Sequence, residues 1–142
     1  MKRNASAVWQ GGVHDGSGRI TTESGVLSGA RYGVASRFES EAGTNPEELI
    51  AAAHAGCFAT ALSNGLEAAQ LTAESIAVKA TVSVQKLAAD WTVTEIHLEV
   101  TAKIPGADSS RFMTAANHAK SCCPISRLLG AAAKITMDAR LA

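Results

Sequence analysis

The sequence predicts an α+β protein in which antiparallel sheets pack around two main helices. Three observations lead to this prediction: short β-type segments near the start, a long apolar helix in the middle, and two alternating segments followed by a second helix. A chain of 142 residues is long enough to bury a core without a metal or a disulfide. We therefore expect a single domain over residues 1–142.

Charge and hydropathy exclude several classes of function. The 13 basic and 13 acidic residues leave no net charge, which removes the electrostatic argument for binding nucleic acid or a membrane surface. The sequence shows no signal peptide and no run of about 20 apolar residues that would span a bilayer. Three cysteines, an odd number, do not fit a secreted disulfide framework. The prediction is a soluble, cytoplasmic protein with reduced thiols.

The N-terminal part is predicted to form short strands separated by turns. Residues 5–9 and 19–22 are β-type and flank a glycine-rich segment. A third strand is predicted at residues 32–38, where large and small side chains alternate. This alternation places Arg37 on the face of small side chains, where another group can pack against it.

A long helix is predicted over residues 44–66. Thr44 or Asn45 is suited to cap it, and Pro46 is suited to the first helical position. Two glutamates follow, where the helix dipole favours negative charge. The helix is apolar on all sides, which predicts that it is buried in the core. It carries one thiol, Cys57.

The second half is predicted to form a hairpin, a helix and a closing strand. Alternation predicts either a bulge near Thr94 or a late start of the second strand of the hairpin. Pro124 cannot continue the second helix, so Cys122 and Cys123 lie at a break in the backbone. The predicted elements are a strand at 75–85, a strand at 95–102, a helix at 108–121, a short helical turn at 125–129 and a strand at 135–141.

Cys57 is the candidate reactive residue, although a cysteine on an apolar helix is usually an inert small hydrophobe. His54 lies three residues earlier, on nearly the same face. Cys123 precedes a helix-breaking proline, so a second thiol can approach Cys57. A reactive cysteine must be a thiolate, and burial opposes this, so a cation must be near. Arg37 is the first candidate for this cation, and His54 is the second.

The spacing of Glu47 and Cys57 has a consequence for the assembly. These residues lie ten apart in sequence, about 15 Å along a helix axis. Glu47 therefore cannot orient an arginine against the Cys57 of its own helix. If both residues serve one site, the glutamate comes from another subunit. We therefore expect a homodimer with shared sites.

Two segments carry a specific pattern: TESGVLSGARYGVASRFESEAGTNPEELIAAAHAGCFATALS and SCCPIS. With the closing strand, they closely resemble the OsmC/Ohr family of thiol-dependent hydroperoxide reductases, and in particular its osmotically inducible protein C branch. The resemblance covers nearly the whole chain. It implies an intertwined homodimer that reduces organic hydroperoxides in the stress response and is recycled by a dithiol of the lipoyl type. We expect no bound cofactor or metal.

The same resemblance implies roles for four residues. Cys57 matches the peroxidatic cysteine, and Cys123 matches the resolving cysteine. Arg37 matches the arginine that activates the thiolate, and Glu47 matches the carboxylate that orients this arginine. Cys122 departs from the family pattern, which has a small residue without a thiol there. Two interpretations of it stay open: a small side chain that fills a tight turn, or a competing resolving thiol.

Two other functions stay open at this point. A metal site would use Cys57, His54 and the two adjacent cysteines, but adjacent cysteines are poorly placed to bind one tetrahedral ion, and no CxxC or HxxxH spacing is present. The other function is a dimeric module that binds an apolar ligand and has non-catalytic thiols. Slow, pH-insensitive alkylation of Cys57 would indicate the binding module, and fast alkylation would indicate the enzyme.

Overall fold

The computed structural model describes all 142 residues, and the chain divides into two compact units, Met1–Leu49 and Ile50–Ala142. The α+β class is confirmed, and the single domain over residues 1–142 stays a prediction. In order, the elements are β1 (Ala5–Gln10), β2 (Ser17–Thr22), β3 (Ala30–Tyr32), α1 (Val34–Phe38), α2 (Pro46–Ala68), β4 (Ser75–Lys86), β5 (Trp91–Lys103), α3 (Ser109–Cys122), α4 (Pro124–Leu129) and β6 (Lys134–Leu141).

The first unit contains an antiparallel sheet with the strand order β1-β2-β3. Trp9 on β1 and Tyr32 on β3 pack together, with their ring centroids 5.6 Å apart. Thr44 forms a bridge with Tyr32 just before α2 begins. Gly43 permits this approach, because it has a φ of 141° and a Cβ there would come within 2.7 Å of the Arg31 carbonyl oxygen.

The strand predicted at residues 32–38 is wrong, because β3 ends where that segment starts and α1 follows. Ser36 explains the difference. Its hydroxyl oxygen accepts a hydrogen bond from the N–H of Gly33 at 2.9 Å, and the hydroxyl donates to the Thr44 carbonyl at 2.9 Å. These bonds stabilise a helical turn in spite of the alternating pattern. Arg37 therefore lies on a short helix and not on the small-residue face of a strand.

The start and end of α2 agree with the sequence prediction. The Asn45 side-chain oxygen accepts a hydrogen bond from the N–H of Glu48 at 2.8 Å. The Thr44 hydroxyl donates to the Glu48 carboxylate at 2.6 Å. At the other end, Gln70 has a φ of 59°, a left-handed conformation that stops the helix after Ala68. The cap and both boundaries are therefore encoded locally.

The prediction that α2 is buried on all sides is wrong for the single chain. Its buried residues form one stripe with a spacing of four, namely His54, Phe58, Leu62 and Leu66. The opposite side carries small residues, including Ala53, Gly56 and Thr60, and it is exposed. The physical reason is that the elements that pack against α2 within one chain cover only one side of it.

The composition of α2 has a second consequence. By length and composition alone, α2 is one helix that would be able to cross a membrane, whereas the sequence predicted no membrane-spanning run. This is weak support for a membrane span, because core helices of soluble proteins have the same length and composition.

The second unit contains a sheet with the strand order β4-β5-β6. In the antiparallel β4–β5 pair, Ser83 pairs with Glu95 and Val84 pairs with Val93. Thr94 is therefore the extra residue of a bulge, as predicted. β6 pairs with β5 in parallel and departs from the expected antiparallel pairing. The intervening α3 and α4 make this possible, because parallel strands need a long crossover connection.

The second helix of the prediction is divided in two where the sequence indicated. The Asp108 carboxylate caps α3 by accepting a hydrogen bond from the N–H of Arg111 at 2.8 Å. Cys123 separates the end of α3 from Pro124, the first residue of α4. Side chains from α2, α3 and the sheet form one core, which includes Phe58, Leu62, Leu66, Leu98, Val100, Phe112 and Ala116. This core fixes the elements that carry the thiols.

Candidate active site

Two cysteines meet where α2 faces the break between α3 and α4. Cys57 lies on α2 and is partly buried, and Cys123 is fully buried. Both are free thiols, and their sulfur atoms are 2.8 Å apart in a hydrogen bond. Pro124 holds Cys123 at this position, because it ends one helix and starts the next. The structure thus brings together the two cysteines that the sequence singled out.

An open groove gives access to this pair. It has a volume of about 560 Å³. Its lining combines small apolar surfaces with polar side chains: Cys57, Thr60, Ala61, Asn64, His118, Cys122 and Pro124. Cys123 is fully buried and is not part of the lining. A small molecule that enters the groove therefore has access to the Cys57 thiol and not to the Cys123 thiol.

The Cys57 and Cys123 thiols differ in the direction in which their pKa values are shifted. Burial raises the pKa of Cys57, and the hydrogen bond with Cys123 raises it further. Burial alone would raise the pKa of Cys123 as well, but its hydrogen-bonding interactions with Cys57, Ser126 and Ile125 outweigh burial and hold the pKa below its ordinary value. The reduced pair therefore places negative charge more readily on Cys123. A thiolate at Cys57 requires an additional positive charge.

His54 contacts a residue that the sequence interpretation missed. Its Nε2 atom lies 2.7 Å from the hydroxyl of Ser126 on α4, and both side chains are buried. Burial lowers the pKa of His54, so its imidazole is neutral near pH 7. The signal for Ser126 was its place three residues after Cys123, which mirrors His54 three residues before Cys57.

Arg37 and Glu47 form an ion pair in the first unit. The Arg37 Nε and Nη2 atoms donate to the same carboxylate oxygen, Oε1, at 2.9 Å and 2.5 Å. The guanidinium also lies 5.0 Å from the ring centre of Phe38. The second oxygen of Glu47 is buried and has no hydrogen-bond partner. The pairing of this arginine with this glutamate is therefore present within one chain, and their catalytic roles stay predictions.

Cys122 ends α3 and is exposed, with its sulfur 4.0 Å from the Ala119 carbonyl oxygen. It lines the groove together with Cys57. The interpretation that it fills a tight turn stays open. Its capacity to act as a second resolving thiol stays a prediction.

The metal-site alternative receives no geometric support. The structure contains no group of three or more histidine, cysteine, aspartate or glutamate side chains that would hold a metal ion. His54, one of the proposed ligands, instead contacts Ser126 through its Nε2 atom.

Comparison with known proteins agrees with the pattern of the site. Residues 39–138 match the family model described as OsmC-like protein. The chain belongs to the OsmC family. It is 45% identical over 141 residues to the protein named Peroxiredoxin OsmC in Escherichia coli (strain K12), which covers 99% of this chain and 97% of that protein. The protein of the same name in Shigella flexneri matches to the same extent.

Solved structures show the same OsmC-type fold. The organic hydroperoxide resistance protein OhrB of Bacillus subtilis has a TM-score of 0.76 at 24% identity, and covers 96% of this chain and 98% of its own. An organic hydroperoxide resistance protein from Elizabethkingia anophelis has a TM-score of 0.77 at 21% identity, with 100% and 99% covered. The OsmC-like protein of Mycoplasma pneumoniae has a TM-score of 0.79 at 16% identity, with 99% and 97% covered.

Proposed function

We propose that this OsmC-family peroxidase reduces organic hydroperoxides to alcohols through a sulfenic acid at Cys57 and a disulfide between Cys57 and Cys123. The observation that carries the proposal is the contact of the two sulfur atoms at 2.8 Å behind an open groove. The relatives named Peroxiredoxin OsmC support the peroxidase reaction. The structures named as organic hydroperoxide resistance proteins support the class of substrate.

The proposed cycle has three steps. The Cys57 thiolate attacks the distal oxygen of the hydroperoxide, the O–O bond breaks, and the alkoxide leaves and is protonated to the alcohol. The Cys123 thiolate then attacks the sulfenic sulfur, the S–S bond forms, and the hydroxide leaves as water. An external dithiol attacks the disulfide, is oxidised to its own disulfide, and returns both cysteines to thiols.

The groove supports a preference for apolar peroxides. Ala61 and Pro124 give it apolar surface, and Cys57 is the sulfur that a ligand in the groove meets. The same exposure makes Cys57 the sulfur that a reductant attacks, because Cys123 is fully buried. We propose a lipoyl-type dithiol as this reductant, and the cytoplasm as the reducing compartment that supplies it.

Activation of Cys57 is assigned to Arg37, held by Glu47. Burial and Cys123 raise the pKa of Cys57 more than the backbone hydrogen bond with Ile125 lowers it, so the thiolate needs a cation. Glu47 engages one edge of the Arg37 guanidinium and orients the rest of it. Because Glu47 and Cys57 are about 15 Å apart along one helix, we propose that the ion pair of one subunit serves the Cys57 of the other subunit in a homodimer.

Single cysteine variants test the cycle. We expect Cys57→Ser to abolish turnover of cumene hydroperoxide with a dithiol reductant. We expect Cys123→Ser to consume about one equivalent of peroxide and then to accumulate a sulfenic acid, which dimedone traps and mass spectrometry locates. Cys122→Ser is the matched control and keeps both the Cys57–Cys123 disulfide and turnover. A Cys57–Cys122 disulfide with sustained turnover in Cys123→Ser would reject Cys123 as the sole resolving residue.

A further inference from the structure

Two of the three cysteines contact each other through their sulfur atoms, and they are not the two that are adjacent in the sequence. Cys57 and Cys123 are 66 residues apart in sequence, and their sulfur atoms are 2.8 Å apart. Cys122 is the sequence neighbour of Cys123, but its sulfur is directed to the Ala119 carbonyl oxygen, at 4.0 Å. All three are free thiols. The dithiol that the fold assembles therefore joins α2 to the residue that precedes α4.

We propose that Cys57 and Cys123 form a binding site for trivalent arsenicals that carry one organic group, in which a single arsenic atom bonds to both sulfur atoms. Thiolate sulfur is a soft ligand and prefers soft acceptors of this kind. Two sulfur atoms that already touch are placed to share one such atom. Binding requires only the reduced pair, so it does not depend on the peroxide reaction.

The number of thiols in the site selects this class of ligand. The structure contains no group of three or more histidine, cysteine, aspartate or glutamate side chains that would hold a metal ion. Zinc usually takes four protein ligands in a structural site and three in a catalytic site, which this pair does not supply. An arsenic atom with one organic group completes its three bonds with two sulfur atoms. The pair therefore fits the arsenical better than it fits a divalent metal ion.

The groove provides a route to the pair and a place for the organic group. Its volume of about 560 Å³ lies within the range of small-molecule sites. Ala61 and Pro124 give its lining apolar surface, which suits an alkyl or phenyl group. Cys57 is part of the lining, whereas Cys123 is fully buried. We therefore expect the first bond to arsenic at Cys57 and the second bond at Cys123.

Both bonds form without any change of oxidation state. The Cys57 sulfur adds to the arsenic of an arsine oxide, R–As=O, and the thiol proton moves to the oxygen, which becomes a hydroxyl group on arsenic. The Cys123 sulfur then displaces this hydroxyl, which leaves with the Cys123 proton as water. The second bond forms within one molecule and so at a high effective concentration. The pair therefore holds the arsenical much more strongly than a single thiol does.

The test uses phenylarsine oxide and the reduced full-length protein. We expect native mass spectrometry to show one arsenical bound per chain, with the loss of the water molecule that only two arsenic–sulfur bonds release. Excess glutathione, a monothiol, is expected to leave this adduct in place, whereas dithiothreitol, a dithiol, is expected to remove it. An adduct that retains the hydroxyl group, or one that glutathione removes, would overturn the inference.

Cysteine variants identify which two thiols bind. We expect Cys57→Ser and Cys123→Ser to bind phenylarsine oxide about 100-fold more weakly or worse, because each retains one thiol of the pair. Cys122→Ser is the matched control and is expected to bind as the wild type does. Lost binding in Cys122→Ser with binding retained in Cys57→Ser would assign the site to the adjacent cysteines and overturn the inference. If a variant does not fold, the comparison of glutathione with dithiothreitol on the wild type decides. A wild type that binds the arsenical but does not reduce peroxides would count against the proposed cycle and not against this site.

Discussion

At the scale of single residues, the hydrogen bond between Cys57 and Cys123 makes one thiol harder to ionise and the other easier. This suits the second step of the cycle, because the attacking sulfur must be Cys123. It opposes the first step, because the attacking sulfur must then be Cys57. In the proposed cycle, the peroxide step would therefore need a cation, and the resolving step would use the hydrogen bonds that the site already has.

The difference in pKa between the two thiols predicts how the reactivity of Cys57 changes when Cys123 is replaced. Replacing Cys123 by alanine removes a hydrogen bond and a charge that raise the pKa of Cys57. The pH midpoint for alkylation of Cys57 by iodoacetamide is therefore expected to fall in Cys123→Ala. It is measured on the peptide that contains Cys57. Cys122→Ser is the matched control and should give a smaller fall, since Cys122 raises the pKa less. An equal or higher midpoint in Cys123→Ala would contradict this account.

At the scale of elements, α1 shows how one side chain fixes a turn of backbone. Ser36 is buried and connects the start of α1 to Thr44, just before α2. Arg37 follows it directly and takes its direction from this turn. The ion pair with Glu47 therefore depends on a serine that does not touch either charged group.

We expect Ser36→Ala to lower the free energy of unfolding by about 1–3 kcal/mol, because the N–H of Gly33 and the carbonyl of Thr44 lose a buried partner. Peroxidase activity should fall as well, because Arg37 loses its fixed position. Urea unfolding and steady-state turnover measure the two effects. The exposed Ser40 provides the matched control, and Ser40→Ala is expected to stay within about 0.5 kcal/mol of wild type. Equal losses in both variants would show that Ser36 has no special role.

The sequence predicted correctly those elements whose boundaries are set by side chains within the element itself. Asn45, Asp108 and Pro124 mark helix boundaries through their own side chains, so these boundaries followed from the sequence. The direction of β6 and the helical form of α1 depend on contacts with distant segments. Alternation alone predicted a strand at α1, because it does not reveal the bond from Ser36 to the Thr44 carbonyl.

The residues of the candidate site were also predicted only in part from the sequence. Cys57 and Cys123 were predicted because a thiol on an apolar helix and a thiol before a proline are both unusual. Ser126 was missed, because a serine in a short helix is common and only its contact with His54 makes it notable. The sequence singled out His54 as a second candidate cation without a defined partner, and the structure places its Nε2 atom at the Ser126 hydroxyl.

At the scale of the whole molecule, the proposed cycle requires a second copy of the chain. The side of α2 opposite its buried stripe is exposed and carries mainly small residues, including Ala53, Gly56 and Thr60, which fits close approach of a second helix. The Cys57 thiol lacks a cation among the groups that shift its pKa. Both observations are accounted for if a second copy of the chain covers this side of α2 and contributes its Arg37–Glu47 pair.

Shared sites predict that two inactive variants restore each other. Cys57→Ser and Arg37→Ala subunits are co-expressed with different affinity tags, and the heterodimer is purified through both. One of its two sites then has an intact cysteine and an intact arginine, so we expect about half the wild-type turnover. The control pairs a wild-type subunit with the double variant Cys57→Ser/Arg37→Ala, and should be inactive, because each site lacks one residue. If Arg37 serves its own chain, the two outcomes are reversed. If no heterodimer is recovered, the homodimer itself is wrong.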